Sequence, residues 1–123
     1  MFEVSVAMNF SAAHNLKGYQ GKCEALHGHN WKVEVILRSD KLDNIGMVED
    51  FSAIKDKLKN ILSLFDHKYL NVLPYFKKKN PTSENIAKLI FEKMKEKLKS
   101  TQLGISSVKV WETDTSCATY SEP

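Results

Sequence analysis

The first fourteen residues alternate. Phe2, Val4, Val6, Met8 and Phe10 fall on one parity, and Glu3, Ser5 and Asn9 on the other, the period of a half-buried strand. Continued in register, the apolar face takes in Ala12 and His14. Turn residues follow, from Asn15 to Gln20-Gly21. A second alternation sets His27, His29, Trp31, Val33, Val35 and Leu37 against Lys32 and Glu34, and a turn region from Ser39 to Gly46 ends the hairpin. From Asp50 the period turns helical. Phe51, Ile54, Leu58, Ile61, Leu62 and Phe65 make one stripe, Asp50 suits the N-cap, and the helix should end near Asp66 to Asn71. Asn80-Pro81-Thr82-Ser83-Glu84-Asn85 reads as a second helix start, with Thr82 or Ser83 to cap it. That helix turns Ile86, Leu89, Ile90, Met94 and Leu98 inward and stops before Gly104. Ile105 to Thr113 and Ser116 to Tyr120 close the chain as strands around Asp114-Thr115. Val108, Val110 and Glu112 share one parity there.

The order β-β-α-α-β-β predicts an α+β fold over residues 1–123. It would be a four-stranded antiparallel sheet with both helices on one face. Such a sheet has two open edges, and an open edge invites pairing with another subunit, so a homo-oligomer is expected.

A length of 123 residues fits one domain. The net charge of +3 comes almost wholly from lysine, with one short run at Lys77-Lys78-Lys79 and a sole arginine, Arg38. No basic stripe interleaved with aromatics marks a nucleic-acid partner. The charge suits an anionic small molecule instead. No apolar run is long enough for a bilayer and no signal-peptide pattern opens the sequence, so no membrane partner and a cytoplasmic location are expected. The two cysteines, Cys23 and Cys117, make no disulfide framework. Cys117 reads as a small buried strand residue.

The chemistry gathers on the histidines. His14, His27 and His29 form a metal-ligand pattern, because two residues at spacing two on an extended chain point the same way. Neutral imidazole is the commonest nitrogen ligand for zinc, and three protein ligands with an open fourth position are the arithmetic of a catalytic site. Gly28, between the two ligands, would let the backbone approach something closely. Cys23 lies just upstream as a nucleophile or proton carrier. Asp66-His67 has the makings of a general base with its orienting carboxylate. It serves equally well as a helix-end histidine favoured by the dipole. Glu112 should point inward, where a carboxylate needs a basic partner or a ligand; a flat guanidine-like edge would suit it. On an edge strand it could instead reach solvent. Glu24 is most simply a loop carboxylate and otherwise a second acid/base group.

Six motifs run in order along nearly the whole chain: Phe10-Ser-Ala-Ala-His14, Cys23-Glu-Ala-Leu-His27-Gly-His29-Asn, Gly46-Met-Val-Glu-Asp50-Phe, Asp66-His67-Lys-Tyr-Leu-Asn71, Asn80-Pro-Thr-Ser-Glu-Asn85 and Trp111-Glu112-Thr113. Together they are highly specific. The sequence resembles the 6-pyruvoyl-tetrahydropterin synthase family, most closely its bacterial branch that forms 6-carboxy-tetrahydropterin. The resemblance implies a tunnelling fold, in which sheets of several subunits, usually six, join into a barrel with active sites at subunit interfaces. It implies zinc on His14, His27 and His29, Cys23 as catalytic thiol, Asp66 and His67 as proton relay, and Glu112 with Thr113 as pterin anchor. The implied substrate is 7,8-dihydroneopterin triphosphate. A folate-pathway branch, which makes 6-hydroxymethyl-dihydropterin from the same substrate, uses a glutamate at the place matched by Glu24. A chain with both Cys23 and Glu24 could serve both pathways. A zinc-stabilised binding module is the contrasting expectation, with a closed four-ligand site and a fold lost on chelation.

Overall fold

The computed structural model describes residues 1–21 and 24–123. Strands β1 (Phe2–His14) and β2 (His27–Ser39) form a long antiparallel hairpin. Helix α1 (Phe51–Leu62) follows, then a two-residue strand β3 (Lys68–Tyr69) and two short 3-10 turns, Leu70–Val72 and Pro74–Phe76. Helix α2 (Ser83–Leu98) and strands β4 (Gly104–Thr113) and β5 (Ser116–Tyr120) complete the order. The sheet runs β3-β1-β2-β4-β5.

The expected four-stranded antiparallel sheet is therefore corrected to a mixed sheet of five strands. The addition, β3, runs parallel to β1, with Ala12 opposite Lys68 and Ala13 opposite Tyr69. Two residues are too short for any alternation to show.

Both helices cover the same sheet face. Phe10, Trp31, Val33, Val35, Val108 and Val110 are buried there against Ile54, Leu58, Ile86, Ile90 and Met94. Phe10 stacks on Trp31 with ring centroids 5.8 Å apart. Removal of a buried aromatic of this size costs about 3–5 kcal/mol, so the ring pair anchors the middle of the sheet. The helix starts follow the sequence signals. Asp50 accepts from the Ser52 N–H at 2.8 Å, and Thr82 from the Asn85 N–H at 3.1 Å, each satisfying a donor that the first turn leaves free.

Three expectations about packing change. Phe51, the first residue of α1, stands 55% exposed rather than packed in the stripe. Helix α1 stops at Leu62, and Phe65 reaches the core from the turn beyond it. Cys117 is exposed rather than buried: it pairs with Trp111 on the outer strand and shares the parity that faces away from the helices.

Candidate metal centre

Strand pairing brings the histidines together. His14 lies opposite His27 in the β1–β2 register, with Ala12 opposite His29. The same parity that buries Phe10 and Trp31 thus collects three imidazoles at the end of the hairpin. Glu112 joins them from β4. The β4–β5 register slips between Trp111 and Thr113, leaving Glu112 as the extra residue of a bulge, the kind of irregularity that re-aims a side chain. Its Oε1 lies 2.9 Å from His29 Nε2 and 3.2 Å from His14 Nε2, while His14 and His27 bring their Nε2 atoms to 3.1 Å.

The sequence suggested three ligands with no fourth nearby; the structure places a carboxylate oxygen among them. The ligand atoms of His14, His27, His29 and Glu112 all lie within 4.8 Å of one another. In a tetrahedral zinc site with bonds of about 2.0–2.1 Å, ligand atoms sit roughly 3.3 Å apart. The observed spacings are close to that. The donors are prepared as well. His14 Nδ1–H donates to the Pro81 carbonyl at 2.8 Å and His27 Nδ1–H to the Ala25 carbonyl at 2.9 Å. Each bond fixes the tautomer with the Nε2 lone pair free toward the group. His29 Nε2 is buried with no hydrogen bond of good geometry, a polar atom awaiting a partner. Burial holds the His29 pKa below the usual 6.5; Glu112 opposes this, and His14 and His27 add to it. A depressed pKa keeps the imidazole neutral, the form that binds metal. Position, tautomer and charge state all fit a metal ion.

The loops behind the group are tied down. Asn71, buried, accepts from the Asn15 N–H at 3.0 Å and donates to the Asn15 carbonyl at 2.7 Å. Asn15 Nδ2 donates to the Glu24 carbonyl at 3.1 Å, and Tyr69 Oη donates to Asn15 Oδ1 at 2.8 Å. The residues next to His14 and before His27 are thereby held in one network. Sequence reading missed the parts played by Pro81, Ala25 and Asn71. Carbonyl acceptors carry no side-chain signature, and Asn71 gave a signal only as a member of its motif. Glu24 Oε1 accepts from the Leu16 N–H at 3.3 Å and stands 3.8 Å from His27 Nδ1. Its position pins the loop and also lies beside a ligand. Cys23 lies outside the described residues.

Asp66 and His67 sit apart from this group. His67 Nδ1 is 3.1 Å from Asp66 Oδ1, and among the described residues no hydrogen bond or ion pair joins the two to the metal-ligand group. His67 takes a left-handed φ of 60°, a conformation that costs energy in a non-glycine residue. Its N–H donates to the Ser11 carbonyl at 2.6 Å, and the Ser11 N–H donates to Asp66 Oδ1 at 2.9 Å. The Ser11 bond, chiefly, holds the Asp66 carboxyl below the usual 3.8; desolvation opposes it, and His67 lowers it further. His67 borders an open depression of about 560 Å³, which is also lined by Ser11, Ala12, Ala13, Gly28, His29, Asn30, Lys68 and Tyr69. Ser11, Ala13, Gly28 and Asn30 have the parity opposite to the buried one. A Cβ on Gly28 would meet only the Ala12 carbonyl, at 3.7 Å, so the expected close approach is not made within this chain. Thr113 is exposed at the end of β4, its hydroxyl 3.4 Å from that of Thr115.

Fold and site together define an α+β protein whose mixed sheet carries, at one end, three histidines and a glutamate that could hold a metal ion. The profile of the 6-pyruvoyl tetrahydropterin synthase family matches residues 3–123, and the chain belongs to that family. It is 40% identical over 128 residues to a 6-carboxy-5,6,7,8-tetrahydropterin synthase of Synechocystis, covering 100% of this chain and 95% of the relative. It is 35% identical over 144 residues to the protein of that name from Haemophilus influenzae, covering 99% and 100%. Among solved structures it is similar to the 6-pyruvoyl tetrahydropterin synthase of Caenorhabditis elegans, with a TM-score of 0.84, 28% identity and coverage of 99% and 96%. No helix of the described residues is long and apolar enough to cross a membrane.

Proposed function

We propose that this chain is a zinc-dependent 6-carboxy-5,6,7,8-tetrahydropterin synthase. It would convert 7,8-dihydroneopterin triphosphate and water to 6-carboxy-tetrahydropterin, acetaldehyde and triphosphate, on the way to queuosine and related deazapurines. The convergence of three imidazole Nε2 atoms on one point, in a chain of this family, carries the reading. His14, His27 and His29 hold the zinc, which supplies Lewis acidity to an oxygen of the substrate side chain. Glu112 accepts the guanidine-like edge of the pterin through two N–H bonds, with Thr113 at the rim. Cys23, made acidic by its surroundings, moves one proton at the side chain. Asp66 orients His67, which moves a proton from the other side.

That division fits an oligomer. His67, with Asp66 beside it, borders the open depression next to β1 and β2, from which the pair would serve the metal centre of a neighbouring subunit in a hexameric barrel. The short β3 and β5 supply edges for joining sheets. The whole chain acts as one domain, in the cytoplasm.

Two sibling reactions compete with this reading: the one that forms the pyruvoyl product, and the folate-branch reaction. The second has an observation in its favour, since Glu24 stands beside His27. The test is incubation of the zinc-loaded protein with 7,8-dihydroneopterin triphosphate and mass spectrometry of the pterins. Carboxy-tetrahydropterin with acetaldehyde supports the proposal, and its loss in Cys23→Ala but not in Glu24→Ala supports the roles. Hydroxymethyl-dihydropterin as main product moves the enzyme to the folate branch.

A further inference from the structure

The loops behind His14 gather a positive patch that nothing so far explains. Lys77, Lys78 and Lys79 follow the second 3-10 turn and are exposed, as is Lys17 on the loop after β1. These four lysines, with Phe76 and Asn80, line a cavity of about 240 Å³. Among the described residues no carboxylate comes within ion-pair distance of any of them: the lysine ion pairs lie elsewhere, at Lys95 and Lys99. Gathering like charges without a counter-charge is unfavourable, so a merely solvated surface would gain by keeping them apart.

Here they are held together. The Lys17 N–H donates to Asn80 Oδ1 at 2.8 Å and Asn80 Nδ2 donates to the Lys17 carbonyl at 2.8 Å. Asn85 Nδ2 donates to the Asn80 carbonyl at 2.9 Å, tying the clamp to the first turn of α2. Lys79 also lies over the Tyr75 ring, 4.9 Å from its centroid. The two clamped loops are those that hold the metal centre. Lys17 is three residues past His14, and Asn80 adjoins Pro81, whose carbonyl takes the His14 Nδ1–H. Three residues of chain span at most about 11 Å, so the lysine cluster lies within reach of a ligand bound at the histidines.

We propose that Lys17, Lys77, Lys78 and Lys79 bind the polyphosphate tail of the substrate while its ring is held at the metal centre. The patch supplies what a triphosphate needs: several mobile ammonium donors around a small open cavity. The inference rests on the reading of the substrate as a pterin triphosphate.

The test compares wild type with Lys17→Ala and Lys77→Ala/Lys79→Ala, and with Lys93→Ala/Lys97→Ala as a charge-matched control on α2. The KM for 7,8-dihydroneopterin triphosphate should rise about tenfold or more in the patch variants, as loss of charged hydrogen bonds does. kcat should hold within about twofold, and the difference should shrink at high salt. Inhibition by 7,8-dihydroneopterin, which has no phosphate, should be unchanged. An unchanged KM, an equal loss of affinity for the unphosphorylated compound, or an equal effect in the control overturns the proposal. Should the protein fail to turn this substrate over, the reading of the reaction falls, and calorimetry with inorganic triphosphate then decides the patch alone. Binding about tenfold weaker in the patch variants supports it, and equal binding overturns it.

Discussion

His14 ends β1 and His67 lies in the turn just before β3, and the two imidazoles are set in opposite environments. His14 keeps 2% of its surface and uses both ring nitrogens, one on the Pro81 carbonyl and one in the metal-ligand group. The His67 side chain keeps 82% and leans on Asp66 alone among the described residues. The first arrangement is finished within the chain: register, tautomer and burial leave its lone pair one direction to act in. The second is held by its backbone, at a positive φ, and presents its ring outward. A finished group can hold a metal; an outward-facing pair can act on something brought to it.

The largest effect should come from breaking the finished group. His29→Ala is expected to weaken metal binding by roughly 100-fold or more, since even outer partners of such ligands cost 10–100-fold, and to abolish turnover. Metal analysis after gel filtration and a far-ultraviolet spectrum check this, the fold being retained. His67→Gln should instead lower kcat by about 10²–10⁴ with metal content unchanged. Parallel loss of metal in that variant would erase the distinction between the two regions.

How far the sequence foretold this contrast depends on the range of the interactions. The parity of Phe10, Ala12, His14, His27, His29 and Trp31 is local, and it placed the histidines on one face before any contact was known. The caps Asp50 and Thr82 were equally legible. Glu112 was read as inward, but its arrival within 2.9 Å of His29 depends on a bulge, and a bulge is a matter of register between strands. Strand β3 exists because the His67 N–H and Asp66 carboxylate bind the backbone of Ser11, 55 residues from Asp66 along the chain. No periodicity reports such a partner. Cys117 went astray because its strand is outermost and its parity faces away from the helices.

Smaller effects sharpen the comparison. Asn71→Ala removes the buried amide that grips Asn15 on both sides. Stability should fall by about 1–3 kcal/mol in chemical denaturation, and metal affinity by about tenfold in chelator competition. Glu112→Gln should raise KM for the pterin about tenfold, with metal content held; loss of metal in this variant would make Glu112 a ligand rather than an anchor. The mildest test is pH. The His29 pKa is lowered in the folded chain, so on acidification the unfolded chain takes up its proton first, and stability falls as pH drops below about 6.5. Metal binding should persist below that pH before protons displace it. Asp66, with its pKa lowered from 3.8, keeps its charge and its hold on the Ser11 N–H through this range. Its contribution is lost only as pH falls through the lowered value. A metal-free melting series over roughly pH 2 to 8, read beside metal occupancy, checks the signs.

The most direct measurement is a chelator titration of the zinc-loaded protein, with metal content, turnover of 7,8-dihydroneopterin triphosphate and circular dichroism read on the same samples. A catalytic centre built on a self-sufficient fold predicts that turnover falls in step with metal and returns on adding zinc, while the spectrum does not change. Full turnover in stripped protein would contradict it, and so would a fold that collapses as the metal leaves.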